Sequence, residues 1–167
     1  MASGKIFIDS LRESDGSLSQ EAIKKIIPYG DNFLFVNRIT KLSTNETEAE
    51  YYIHPDLDFL RSHFVGFAIM PGVLISEGFA QAGTVLIRYN LQNSKDKDIL
   101  VCRVDDIRFN YPAFPKDTLL YKVYLKTLGS RAARLAGEVC KEDRKIASFS
   151  VILSIVDRTF FKQTQKS

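Results

Sequence analysis

Histidine and cysteine are scarce in this chain, with two of each among 167 residues, and tryptophan is missing altogether. Cys102 and Cys140 form no Cys-x-x-Cys pair and are too few for the disulfide framework of a small secreted domain. His54 and His63 belong to neither His-Glu-x-x-His nor a comparable ligand spacing, so no metal site and no cofactor are expected. An excess of one charge is missing too. The 23 Lys and Arg against 20 Asp and Glu leave a net charge of +3. That is too mild and too dispersed for a nucleic-acid footprint, though compatible with docking an acidic partner. No apolar run approaches the roughly 20 residues of a spanning helix, so no membrane segment is expected. The start, MASGKIFIDSLRESDG, has no basic patch followed by a continuous apolar stretch. It does not read as a signal peptide, which makes a cytoplasmic location the expectation. Internal repeats and low-complexity segments are absent as well.

What the chain does have is apolar and aromatic bulk: 45% hydrophobic residues, including 12 Phe and 7 Tyr, enough to fill the core of one domain. Both cysteines fall in strand-like segments, where a small buried hydrophobe is the expected role. Residues 1–16 are polar and end at Asp15 and Gly16, which suggests a loosely attached, flexible extension. Ser17 and Gln20 resemble a capping box that opens a short helix, stopped by Pro28. FLFVNRIT (33–40) and the alternating ETEAEYYI (46–53) predict strands. Residues 71–91 predict one long helix, with Pro71 at its first position. Four strands follow at 99–110, 118–128, 131–140 and 145–156, joined by hairpin turns carrying Pro112, Pro115, Gly129 and KEDRK. The main domain is expected over 17–158, with 159–167 as a frayed tail. The expected class is α+β: an antiparallel sheet wrapped around one long central helix, the only large apolar object able to cover it.

The helix carries the chemistry. Val73, Leu74, Ile75, Phe79, Ala80, Ala82, Val85, Leu86 and Ile87 point all round its axis, so it should be buried on most sides. Glu77 is the single charge in its first two turns. A carboxylate there is costly unless paired, protonated or placed at a cleft. Two readings stay open: a general acid, and a carboxylate at a solvent-facing gap paired with a lysine. Fourteen positions upstream, in SHFVG, lies His63, a residue type suited to removing a proton near neutral pH. Between the two, Pro71 and Gly72 open the helix, where free N–H groups and the positive dipole end can hold a developing oxyanion. His54, beside Pro55, is expected to be structural.

The run H-F-V-G-F-A-I-M-P-G-V-L-I-S-E-G-F-A-Q (63–81) resembles the signature of the bacterial (3R)-3-hydroxyacyl-acyl-carrier-protein dehydratases, in which H-F-P-G-x-P-I-x-P-G-V-L leads into a helix with E-x-x-A-Q. Residues 26–39 and 104–119 resemble that family's flanking segments, in the same order. The resemblance implies a hotdog fold and conversion of a 3-hydroxyacyl thioester to the trans-2-enoyl thioester, within fatty acid or related lipid synthesis. It further implies His63 as base, Glu77 of the partner subunit as acid and Gly72 N–H as the oxyanion donor. The implied partners are an acyl carrier protein and a second copy of the chain, with a trimer of dimers left open; an apolar tunnel would take the acyl chain. Related activities also left open are an R-specific enoyl-coenzyme A hydratase, a thioesterase, and a non-catalytic acyl-thioester-binding subunit. Departures from the pattern are Val65 and Ala68 for prolines, Tyr29 and Gly30 for an early His-Arg pair, Lys116 for a turn glycine, and Leu100 near a tunnel-gating tyrosine of some members.

Overall fold

The computed structural model describes residues 4–159. The long apolar helix forms as α3 (Gly72–Asn90), and all of residues 78–89 are buried. With apolar side chains on every side, it has no face that water would select. Its first turn emerges, where Val73 is exposed. Two short helices, α1 (Gly4–Asp9) and α2 (Gln20–Ile26), contact α3, and six strands form one antiparallel sheet beside it. These are β1 (Arg38–Leu42), β2 (Glu46–Tyr52), β3 (Lys97–Phe109), β4 (Thr118–Leu128), β5 (Ala132–Lys141) and β6 (Arg144–Asp157). Their spatial order is β1-β2-β4-β5-β6-β3.

Register explains how the sheet holds the helix. Ile39, Ala49, Tyr121, Val139 and Ala147 pair in sequence across five strands, and each is almost fully buried. Because side chains alternate faces along a strand, this row and its neighbours two residues away form one apolar surface. Contact with α3 is closest where the helix has no side chain. A Cβ built at Gly78 would stand 2.2 Å from the Tyr121 hydroxyl and 2.9 Å from the Phe35 carbonyl oxygen. Gly78→Ala is therefore expected to destabilise the protein by about 1–3 kcal/mol, as overpacked cores do. A urea midpoint unchanged from wild type would show that helix and sheet are not packed this closely.

Several sequence expectations give way here. The first strand begins at Arg38 rather than at residue 33, because residues 31–33 form a 3-10 turn and 34–36 are buried outside the ladder. Ser17 caps no helix. It is buried, its hydroxyl donates to Asp15 at 2.6 Å, and Ser19 occupies the N-cap of α2 without a side-chain cap bond. Residues 4–16 are not a loose extension: Ile8 is fully buried, and the Gly4 amide donates to the Leu91 carbonyl at 2.9 Å. A Cβ at Gly4 would fall 2.0 Å from the Arg88 carbonyl, so α1 docks backbone against backbone at the end of α3. The link from β3 to β4 is not a hairpin, since β4 lies between β2 and β5 while β3 crosses to pair with β6. Cys140 is buried as expected, but Cys102 is exposed, on a strand whose middle has no covering layer. The tail beyond residue 159 lies outside the described residues.

Candidate active site

The irregular segment between β2 and α3 is ordered by its own backbone. Phe64 and Phe67 exchange both N–H···O bonds, at 2.8 and 2.9 Å, closing a tight turn with Gly66 at φ +77°. Left-handed φ at this turn position is what glycine supplies without strain. The turn closes although Val65 stands where proline would restrict it. His63 is tied at both backbone ends: its amide donates to the Phe59 carbonyl and its carbonyl accepts from the Ile69 amide, each at 3.0 Å. The His63–Phe64 peptide is cis. The imidazole stacks on Phe64, with ring centroids 4.2 Å apart.

The ring's Nδ1 lies 3.1 Å from the Ile69 carbonyl oxygen. A carbonyl can only accept, so this bond selects the tautomer protonated at Nδ1 and leaves the Nε2 lone pair available, as a base requires. His63 lines a cavity of about 320 Å³ together with Met70, Gly72, Ile75, Phe109 and Tyr111. Gly72 is needed for contact there: a Cβ on it would sit 2.8 Å from the Phe109 ring. As the first residue of α3, its amide has no acceptor within the helix and carries part of the positive dipole end. His63 and Gly72 thus share one cavity.

Glu77 does not line that cavity. It is half-buried, and Gln81, one turn on, donates to its Oε1 at 3.1 Å. The Tyr29 hydroxyl also meets the Glu77 carboxyl. Burial first, then the Glu77 charge and this hydrogen bond, push the Tyr29 phenol well above its usual range and keep it protonated. The partners of Glu77 are therefore an amide and a phenol, and not the lysine that the simpler reading supposed. Sequence reasoning gave neither residue a role. Gln81 had a signal, its i+4 spacing from Glu77; Tyr29, distant in the chain, had none. His54 is exposed, with Nδ1 accepting from the Asp56 amide, in keeping with a structural role. Among the described residues, no cluster of three or more His, Cys, Asp or Glu side chains is placed to hold a metal ion.

Gln81 is fully buried and also anchors the chain before β1: Nε2 donates to the Phe33 carbonyl and Oε1 accepts from the Phe35 amide, both at 2.8 Å. Gln81→Leu would strand both backbone groups. It is expected to cost about 2–4 kcal/mol of stability, because buried groups left without partners carry the full desolvation penalty. A thermal midpoint matching wild type would show that water replaces the amide.

An antiparallel sheet packed around a central helix, with a histidine loop leading into that helix, defines a hotdog-fold α+β protein. Solved structures agree on the fold. The dehydratase heterocomplex ApeI:P from Xenorhabdus doucetiae superposes with a TM-score of 0.72 at 14% identity, over 87% of this chain and 97% of that one. A hypothetical thioesterase from Streptococcus pneumoniae, bound to coenzyme A, gives 0.56 at 12% identity, over 71% and 84%. The model of the FabA-like domain matches residues 27–150, and the chain belongs to that family. It is 32% identical over 145 residues to the 3-hydroxyacyl-[acyl-carrier-protein] dehydratase FabZ of Wolinella succinogenes, covering 83% of this chain and 95% of the relative. To the FabZ of Macrococcus caseolyticus it is 30% identical over 142 residues, covering 84% and 97%.

Proposed function

We propose that this chain is a 3-hydroxyacyl-thioester dehydratase of fatty acid or related lipid synthesis, acting in the cytoplasm as a homodimer on substrates carried by acyl carrier protein. The observation that carries the site assignment is the shared cavity, in which an imidazole with a free Nε2 faces the same space as the first residue of a helix. In the proposed reaction His63 Nε2 takes the C2 proton. The negative charge that develops on the thioester oxygen is held by the Gly72 N–H and the dipole of α3. The electron pair of the C2–H bond forms the C2–C3 double bond as the C3–O bond breaks, and protonated Glu77 of the partner subunit gives its proton to the departing hydroxyl, which leaves as water. Proton return from His63 to Glu77 through water resets the pair.

A partner copy fits two features of the single chain. Glu77 lies outside the His63 cavity, so the acid for that cavity must come from elsewhere. In addition, β3 ends the sheet with Leu100, Val101 and Val104 about half exposed, an apolar edge that an isolated protein would normally protect. The test is direct. A (3R)-3-hydroxyacyl carrier-protein thioester is supplied, and the enoyl thioester and loss of water are followed by absorbance and mass. The coenzyme A thioester runs in parallel. Faster turnover of the carrier-bound substrate is expected. Turnover of the coenzyme A thioester alone would favour a hydratase working in reverse, and hydrolysis to the free acid would make the protein a thioesterase.

A further inference from the structure

Within the buried length of α3, the polar side chains other than tyrosine are Gln81, Thr84 and Arg88. With Glu77 ahead of them, they follow at steps of four, three and four residues, which on a helix of 3.6 residues per turn keeps all four on one side. Gln81 is 0% exposed and Thr84 and Arg88 are 3% exposed, so this stripe faces the interior. A cavity of about 280 Å³ opens along it, lined by Tyr29, Thr84, Arg88, Asp98, Ile99 and Leu100. Thr84, which lines the cavity, lies seven residues beyond Glu77 on the same side of the helix, so the cavity begins about 10 Å along the axis from the proposed acid. It reaches Arg88, about 16 Å along the helix axis from Glu77.

The guanidinium at that end is incompletely satisfied. Arg88 donates to the Ser94 carbonyl and, at 2.8 Å, to the Lys97 carbonyl, while its buried Nε has no partner. The carboxylate nearest to it in the cavity, Asp98, is held by Arg158 at 3.1 Å. Arg88 also borders a second cavity, of about 330 Å³, where Lys25 and Lys95 add positive charge, while Lys24 is paired with Glu21 and Asp31 and Arg158 with Asp98. Burial, followed by the charge of Arg158, lowers the Arg88 pKa from its ordinary value, as expected of a cation short of compensation. A hydrocarbon chain ending here would leave that charge as it is; an anionic oxygen group would neutralise it through charge-assisted hydrogen bonds.

We propose that this cavity receives the far end of the acyl chain and that Arg88 selects chains ending in a carboxylate over chains ending in a methyl group. The inference rests on the dehydratase reading and names the substrate class of that site. The test uses the intact protein and matched 3-hydroxyacyl thioesters of increasing length, each made with a methyl end and with a carboxylate end. At the best length, wild type is expected to favour the carboxylate-ended chain in kcat/KM by about tenfold or more, the size of one charge-assisted hydrogen bond. Arg88→Met is expected to reverse that preference and Arg88→Lys to retain it; should the Met variant not fold, wild type and Arg88→Lys carry the test. Wild type that turns over methyl-ended chains as well or better at every length overturns the inference while the dehydratase reading stands. An unchanged ratio in Arg88→Met overturns the role of Arg88. No dehydration of any thioester removes the underlying reading, and this inference with it.

Discussion

His63→Ala is expected to lower kcat for dehydration by about 10²–10⁴-fold, the usual contribution of a positioned general base, with a much smaller change in stability. The two effects separate because the histidine loop is closed by backbone bonds among Phe59, His63, Phe64, Phe67 and Ile69 that survive the substitution. What the fold loses is one side-chain hydrogen bond, to the Ile69 carbonyl, and the stacking of the ring on Phe64, each worth about 1 kcal/mol. What the reaction loses corresponds to about 3–5 kcal/mol of barrier. The measurement pairs steady-state turnover of a 3-hydroxyacyl thioester with a urea unfolding curve. A variant that keeps kcat within a few fold of wild type would remove His63 from the mechanism; one that loses activity and stability together would make it a structural residue.

Glu77→Gln should reduce turnover by a similar factor, about 10²–10⁴, since an amide cannot deliver a proton to the leaving hydroxyl. It keeps the shape of the side chain and an oxygen for Gln81 to donate to, so the anchor of the segment before β1 should persist. The same variant tests the two-subunit site. If base and acid come from different copies, a mixed dimer of His63→Ala and Glu77→Gln has one site with both defects and one with neither. Random exchange in an equimolar mixture then restores about a quarter of wild-type activity, from half of the dimers with half of their sites intact. If each site lies within one chain, every site in the mixture carries a defect and nothing is recovered. Size-exclusion chromatography of the mixture, with one variant tagged, establishes that exchange has taken place.

Some positions show why parts of this molecule were legible in advance. Thr118–Leu128 is a strand over the range predicted, because its alternation of Leu119, Tyr121 and Val123 with polar residues is a local consequence of having one covered face. Lys116, noted as standing where a turn glycine is usual, does adopt φ +74°. Phe33–Thr40 misled for the opposite reason. Leu34, Phe35 and Val36 are buried, but by packing and by the amide of Gln81 and not by a neighbouring strand, while Phe33 is about half exposed. Residues 1–16 look expendable by composition; one isoleucine and one glycine at the right places dock α1 against the end of α3.

The sequence by itself determined the α+β class, the central helix, most of the strands that surround it, and the order of His63, Gly72 and Glu77 along the chain. Each of these rests on local spacing, which periodicity and chain connectivity transmit directly. Tertiary structure alone decided that β3 crosses to the far edge of the sheet, that Glu77 is held by Tyr29 and Gln81 away from the His63 cavity, and that a buried arginine stands at the end of a stripe leading from it. Those are contacts between residues far apart in the chain. They follow from which surfaces the folded core can bury together, and no window of sequence encodes that choice.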